Sequence, residues 1–278
     1  MRAARRLLAP VALALAAVVA PAAQADGNAG LELDPARIDA TLAAMVREGR
    51  TVGASVLVWK DGHEVHFAAE GLADREEARP FARDTLVQIY SMTKPVTGVA
   101  LMQLWEQGKF GLDDPLARHL PEFAGLQVYD ESEPDKLRPP VRPVTVRDVM
   151  RHTAGFGYGP SGHPTDAAWV EHEPLSPDHT LEQFAAALAK VPLLYDPGTH
   201  WHYSAAVDVQ ARLVEVLSGQ PFADYVAEHI FAPLGMTQSC WKCAPELLPR
   251  LAAIYENGEG GALTPMAEET WLEPNFAG

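Results

Sequence analysis

Ser91 and Lys94 are the residues whose types and spacing most directly indicate chemistry in this sequence. They bracket an S-x-x-K pattern at the start of an apolar, helix-like run. Residues three apart share one face of a helix, so a hydroxyl and an amine project side by side. A serine is a weak nucleophile until a base takes its proton, and Lys94 is the base that local spacing places beside Ser91.

Pro95 and Tyr203 extend this hypothesis. Because Pro95 has no amide hydrogen, we expect the helix to begin at Ser91, with the hydroxyl at the positive end of the helix dipole. Tyr203 precedes another predicted helix and is a candidate general base. A phenol of pKa about 10 is about 4 kcal/mol from ionisation at neutral pH, and an ammonium at about 4 Å is worth a similar energy at an effective dielectric of about 20. An ordinary helix N-terminus and a half-buried aromatic ring remain the alternative interpretations.

Local sequence signals predict the elements that must position these residues. Asp34-Pro35 is typical of a helix start, and two strand-like runs flank the hairpin turn Asp61-Gly62. Thr145-x-x-Asp148 and Thr180-x-x-Gln183 resemble capping boxes. Ser204 is a predicted cap for a helix that runs to Ser218, with Gly219 after it. We interpret 250–255 as a strand that returns to the first sheet.

Composition narrows the functional class. The chain has 278 residues and a formal net charge of -15, which disfavours binding to nucleic acid or anionic lipid. Residues 1–25 combine a basic start, a short apolar run and Ala23-Gln24-Ala25, as in a signal peptide. We therefore predict an exported protein, periplasmic or secreted, with no stable membrane insertion. The sequence contains no motif that indicates a bound cofactor.

Two short motifs leave alternatives open. Cys240 and Cys243 form a C-x-x-C, for which a surface disulfide, free thiols and a redox or metal role are all considered. His200-Trp201-His202 has metal-like spacing, but no third ligand is tied to it, so we expect no metal site. His152 is expected to fix a loop through hydrogen bonds.

Six segments together resemble the serine β-lactamase and penicillin-binding-protein superfamily, in its class C and carboxylesterase branch. In chain order they are Ile89–Pro95, Gly111–Pro115, Arg151–Gly155, Asp196–Thr199, Tyr203-Ser204 and Phe231–Met236. The resemblance implies an α/β (α+β) fold, with an antiparallel sheet flanked by helices and an inserted all-helical subdomain. It also implies Ser91 as the acylated nucleophile, Lys94 as its activator and Tyr203 as general base.

The N-terminal pattern, the order of helix-like and strand-like segments and the resemblance together divide the chain into four parts. They are a signal peptide at 1–25, the N-terminal part of the α/β subdomain at 26–85, the helical subdomain at 86–249 and the start of a returning α/β segment at 250–278. We expect an acyl-enzyme serine hydrolase acting on small esters. A β-lactamase or D-alanyl-D-alanine carboxypeptidase, and an inert cell-wall-binding or truncated remnant, are the alternatives. The sequence does not predict the oligomeric state.

Two departures from the family pattern refine these expectations. The family often has asparagine at the third position of the tyrosine motif, where this chain has Ala205; the missing amide favours simple esters over β-lactams. The family's Lys-Thr-Gly or His-x-Gly motif does not occur after Tyr203. We therefore expect a C-terminally truncated sequence, and losing one oxyanion donor typically costs about 10²–10³ in rate.

Four residues are candidates to contact a substrate. Tyr158, Trp169 and Trp201 are predicted to line an acyl pocket, although burial in the core is the commoner fate of such rings. Ala205 joins them through its place in the tyrosine motif.

Overall fold

A computed structural model describes residues 33–130, 132–133 and 136–266. The predicted signal peptide and residues 267–278 lie outside this part of the chain. In the described part the α-helices are α1 (Pro35–Arg47), α2 (Lys94–Glu106), α3 (Val146–Met150), α4 (Asp166–His172), α5 (Leu181–Leu188), α6 (Ala206–Ser218) and α7 (Phe222–Val226). The strands are β1 (Gly53–Lys60), β2 (His63–Asp74), β3 (Arg79–Pro80), β4 (Val128–Tyr129), β5 (Leu137–Arg138), β6 (Tyr255–Asn257) and β7 (Leu263–Pro265).

The first layer is an antiparallel sheet covered by α1. Its strand order is β1-β2-β3. Asp61 and Gly62 form the β1–β2 turn with φ of 51° and 80°, the positive values that match the twist of two paired strands. The Asp34 carboxylate accepts the Arg37 N–H at 3.1 Å at the start of α1. The predicted helix start and hairpin are therefore confirmed.

The second layer is helical and contains the main hydrophobic core. Helix α6 lies at its centre, because it contacts α2, α3, α5 and α7. Eight of its residues are buried, from Ala206 to Val214, as expected of a helix surrounded by others. Large fully buried side chains include Phe156, Phe184 and Leu101. This core fixes the relative positions of α2 and the segment that leads into α6.

Two predicted capping boxes are confirmed at the edges of this core. Thr145 and Asp148 exchange side-chain and backbone hydrogen bonds at the start of α3. Thr180 and Gln183 do the same at the start of α5. Each box satisfies backbone donors that a helix start otherwise leaves unpaired.

The start of α2 differs from the prediction. The α-helix begins at Lys94, and Tyr90–Thr93 form a 3₁₀ turn before it. The reason is Pro95, which cannot donate to the Ser91 carbonyl. The Lys94 N–H donates to that carbonyl in its place, and this closes the tighter turn.

Ser204 does not cap α6. The helix starts at Ala206 with no side-chain cap, and the Ser204 hydroxyl lies 3.1 Å from His152 Nδ1. Sequence alone could not reveal this competing partner, 52 residues away. The predicted end of the helix is confirmed, since Gly219 follows it with φ of 76°.

The strand predicted at 250–255 is wrong in its extent. Residues Leu248–Arg250 form a 3₁₀ turn, and Leu251 makes only an isolated parallel bridge to Leu86. The chain does return to the first sheet, because the Ala253 N–H donates to the Ala73 carbonyl at 2.9 Å. It then forms the β6–β7 hairpin.

Cys240 and Cys243 form a disulfide, the first of the three alternatives considered. Trp241, between them, packs edge-on against Phe222 at a centroid distance of 4.8 Å. No helix in the described ranges is long and apolar enough to cross a membrane.

Candidate active site

Ser91 and Lys94 meet because of the turn that precedes α2. In a 3₁₀ turn, residues three apart stack almost directly over one another. Lys94 Nζ accordingly lies 3.1 Å from Ser91 Oγ. Tyr90, just before the serine, has φ of 46°, an unfavourable value for a tyrosine that the surrounding structure must hold in place. The serine side chain is solvent-exposed, so a substrate can reach it.

Tyr203 reaches the same point from the other side of the helical core. Its hydroxyl lies 2.7 Å from Ser91 Oγ, although the two residues are 112 positions apart. Lys94 Nζ lies 4.9 Å from the centre of the Tyr203 ring. The three predicted site residues are therefore together, with hydroxyl, phenol and amine within direct contact.

The charge of Lys94 controls the acidity of this phenol. Burial alone raises the pKa of Tyr203, but hydrogen bonds from Lys94 and Ser91 and the positive charge of Lys94 outweigh it, so the pKa is lowered. Asp208 opposes this shift. The arrangement makes the Tyr203 phenolate easier to form, and a phenolate could accept a proton from the Ser91 hydroxyl.

A ladder of backbone hydrogen bonds holds the tyrosine segment in place. Segment 152–157 runs alongside segment 194–205, and its carbonyl groups accept hydrogen bonds from the N–H groups of the second segment at four points. The bonds are Leu194 N–H to Gly155 O, Gly198 N–H to Thr153 O, His202 N–H to His152 O and Ala205 N–H to Gly157 O, at 2.7–3.1 Å. This pairing fixes the Tyr203 segment relative to the segment that follows α3.

The four predicted substrate contacts lie in different surroundings. Tyr158 packs edge-on against Tyr203 at 5.3 Å and is 38% exposed, so it borders the site. Burial, Asp208 and Tyr203 raise the pKa of Tyr158, which keeps it a neutral phenol. Trp201 is 66% exposed. Trp169 is buried in the core, and Ala205 is fully buried behind the site.

His152 is the site neighbour whose importance the sequence did not reveal. Its ring stacks on the ring of Tyr203, with a centroid distance of 5.2 Å and an interplanar angle of 20°. Trp201 lies edge-on to it at 6.1 Å. Its expected loop hydrogen bonds are present, but ring stacking over 51 positions leaves no sequence signal.

Other features give weaker candidates. Across the described ranges, no group of three or more His, Cys, Asp or Glu side chains could hold a metal ion. A cavity of about 690 Å³ lies between α1 and the β1–β2 hairpin, lined largely by apolar residues such as Ile38, Val56 and Val58. Its lining contains no paired nucleophile and base. The cluster of Ser91, Lys94 and Tyr203 is therefore the candidate active site, although it lies outside that cavity.

Comparison with known proteins gives a consistent result. The beta-lactamase family model matches residues 38–271. The esterase EstB of Burkholderia gladioli is 37% identical over 228 residues, which cover 81% of this chain and 55% of that protein. The lovastatin esterase of Penicillium rubens is 31% identical over 213 residues, which cover 73% of this chain and 52% of that protein.

Solved structures show the same relationship. EstCE1, described as a hydrolase with promiscuous acyltransferase activity, matches with a TM-score of 0.72 and 30% identity, covering 84% of this chain and 58% of that one. Simvastatin synthase (LovD) from Aspergillus terreus matches with a TM-score of 0.72 and 25% identity, covering 86% of this chain and 62% of that one. The chain spans about half the length of the curated relatives it matches, the esterase EstB and the lovastatin esterase.

Proposed function

This chain belongs to the beta-lactamase family, and we propose that it carries the acylation site of a serine esterase or acyltransferase that forms an acyl-enzyme on Ser91. The observation that carries the proposal is the 2.7 Å contact between Ser91 Oγ and the Tyr203 hydroxyl, with Lys94 Nζ at 3.1 Å from the same oxygen. A nucleophile touching a base, and a cation beside both, is the arrangement that covalent catalysis requires.

Acylation follows from this geometry. The Tyr203 phenolate takes the proton of the Ser91 hydroxyl while Oγ forms a bond to the ester carbonyl carbon. As the tetrahedral intermediate collapses, the C–O bond to the alcohol breaks, and the leaving oxygen takes the proton from Tyr203. Lys94 stabilises the phenolate before the transfer and again after the alcohol leaves.

Deacylation uses the same residues in reverse. Water or a second alcohol attacks the acyl carbon while its proton passes to Tyr203. The bond from Ser91 Oγ to the acyl group then breaks, and Oγ takes the proton back. Attack by water gives hydrolysis, whereas attack by an alcohol gives acyl transfer. The exposure of Ser91 is compatible with both acceptors.

The surroundings favour an ester over a β-lactam. Ala205 occupies the position where an asparagine amide would bind the acyl-amide arm of a β-lactam, and its methyl group offers no hydrogen bond. Tyr158 and Trp201 present exposed aromatic surface close to Tyr203 and His152, which suits an apolar acyl or alcohol group. We also propose export, on the basis of the sequence of residues 1–25.

The proposed function is tested with a chromogenic acyl ester. The native chain is expected to release a burst of p-nitrophenol and to gain one acyl mass on the peptide that contains Ser91. Tyr203→Phe is expected to lower kcat by about 10²–10⁴, the usual contribution of a general base. Tyr129→Phe, which removes a phenol from β4, is the matched control. Undiminished turnover by Ser91→Ala would refute the proposal.

A further inference from the structure

His152 is tied to both neighbours of Tyr203. On one side, the His202 N–H donates to the His152 carbonyl at 3.0 Å. On the other, the Ser204 N–H donates to His152 Nδ1 at 3.2 Å. Between these two bonds, the imidazole stacks on the Tyr203 ring. One residue therefore holds the tyrosine through its backbone, its ring nitrogen and its ring face.

The bond from Ser204 determines where the imidazole proton lies. A backbone N–H can only donate, so Nδ1 must offer its lone pair. The proton of the neutral ring is then on Nε2. The Ser204 hydroxyl, 3.1 Å from Nδ1, reinforces the same tautomer when it donates. Since Ser204 is buried, its N–H is shielded from water that could replace Nδ1 as acceptor.

The backbone of His152 shows that this arrangement is enforced. Its φ of 56° lies in the left-handed region, which is strained for a non-glycine residue. Such a conformation persists only where its surroundings over-determine it. Here the surroundings are the ladder to segment 194–205 and the stacked tyrosine.

We propose that His152 is a positioning residue for Tyr203, and that only its neutral form, with the proton on Nε2, holds the base in place. Protonation puts a hydrogen on Nδ1, directly against the Ser204 N–H, and two donors then face each other. The Ser204 anchor breaks, and the Tyr203 segment is released. The consequence for catalysis rests on the proposed function of Tyr203 as the base.

The surroundings of the ring keep it neutral near neutral pH. Its titratable and charged neighbours in the described part of the chain are Lys94 at the start of α2, and His202 and Tyr203 before α6. Burial, followed by the charge of Lys94 and then that of His202, lowers the pKa of His152. Protonation therefore occurs on the acid side of the ordinary histidine value, and activity is lost as the pH falls through that point.

The first test reads the tautomer and needs no turnover. In protein labelled with ¹⁵N-histidine and ¹³C-tyrosine, two-bond couplings identify which ring nitrogen carries the proton; His152→Asn and Tyr203→Phe assign the signals. We expect His152 as the Nε2–H tautomer at pH 7, with a titration below pH about 6.5 that the Tyr203 ring signal follows. An Nδ1–H tautomer, or a Tyr203 signal that ignores the titration, overturns the proposal.

The second test separates the hydrogen bond from the ring. Asparagine places an acceptor near the position of Nδ1 and cannot titrate, whereas phenylalanine keeps a stacking ring without an acceptor. We expect His152→Asn to retain activity within about tenfold and to lose the acid fall in kcat/KM that coincides with the His152 titration. His152→Phe is expected to lose about 10–100-fold in kcat with little change in KM, because a small displacement of a catalytic group is costly.

The outcomes of the two tests are distinguishable. An acid fall in His152→Asn that matches the native one overturns the positioning role, as does a loss in His152→Phe confined to KM. A native chain that forms no acyl adduct refutes the proposed function instead. In that case the titration of the Tyr203 signal still decides whether His152 holds the tyrosine segment.

Discussion

Replacing Asp148 by alanine is expected to destabilise the chain strongly, whereas replacing Asp113 is not. Asp148 lies on α3 with its carboxylate 2% exposed. It accepts from Arg142 Nη1 at 2.6 Å and Nη2 at 3.0 Å, and from the N–H and hydroxyl of Thr145 at 3.0 and 2.7 Å. The Thr153 hydroxyl also donates to Asp148 Oδ1 at 3.3 Å, so five donors of three residues depend on one side chain.

Asp113 provides a matched comparison. Its carboxylate binds Arg147, also on α3, in an equally good two-bond geometry at 2.7 and 2.9 Å. It is, however, 77% exposed. Exposed pairs contribute little, because water solvates both ions almost as well when they separate. The two substitutions remove the same chemical group, but only Asp148 is buried and also accepts hydrogen bonds from Thr145.

The magnitude follows from the donors left behind. Loss of the capping bond at Thr145 costs about 1 kcal/mol. Leaving the half-buried Thr145 hydroxyl without its acceptor adds about 1–2 kcal/mol. Removing the ion-pair partner of Arg142 costs less stability than the 3–5 kcal/mol typical of a fully buried pair, because the Arg142 side chain is 41% exposed. A total of roughly 3–4 kcal/mol lowers Tm by about 6–16 °C for a domain of this size.

Thermal and urea unfolding of Asp148→Ala, Asp113→Ala and the native chain, followed by circular dichroism, measure this difference. Asp113→Ala is expected to unfold with the native midpoint. Equal midpoints for the two variants would show that burial does not determine how much each ion pair contributes to stability. A change in the urea m-value would show instead that the unfolded or native state had changed in compactness.

Two further predictions concern the same region. Gly198→Ala is expected to lower Tm more than Gly162→Ala. The φ angles are similar, 85° and 87°, but of the two positions only Gly198 would bring an added Cβ against Arg142 Nη2. Equal losses in Tm would mean that Arg142 moves aside without cost. The second prediction is that the Tm of the native chain falls as the pH is lowered below about 4. Burial of Asp148 opposes ionisation, but the hydrogen bond from Arg142 and those from Thr145 prevail, and its pKa is lowered. The unfolded chain then binds more protons in acid, so Asp148→Ala should show a shallower decline than the native chain in melts from pH 3 to 7.

Much of the local structure could be predicted because its causes lie within a few residues. The capping boxes at Thr145 and Thr180 are examples, since each is complete within four positions. The contact of Ser91 with Lys94 is another, because any helical turn brings residues three apart together. Even the error at the start of α2 has a local cause, the missing amide of Pro95.

The remaining features depend on partners far along the chain. Nothing near Trp169 distinguishes it from Trp201, yet one is buried in the core and the other is 66% exposed. Ser204 has the right type and position for a helix cap, but His152 offers its hydroxyl an acceptor. Such competition is decided by tertiary packing, which outweighs the local preference of a serine.

The site and the stability of the fold are connected through one short path. Asp148 holds Arg142 beside Gly198, and the Gly198 N–H donates to the Thr153 carbonyl at 2.7 Å. This is one bond of the ladder that also holds the residues on both sides of Tyr203. Loss of the Asp148 carboxylate should therefore displace Tyr203 more than it disturbs the contact of Ser91 with Lys94. That contact is made within a single turn and does not depend on the ladder.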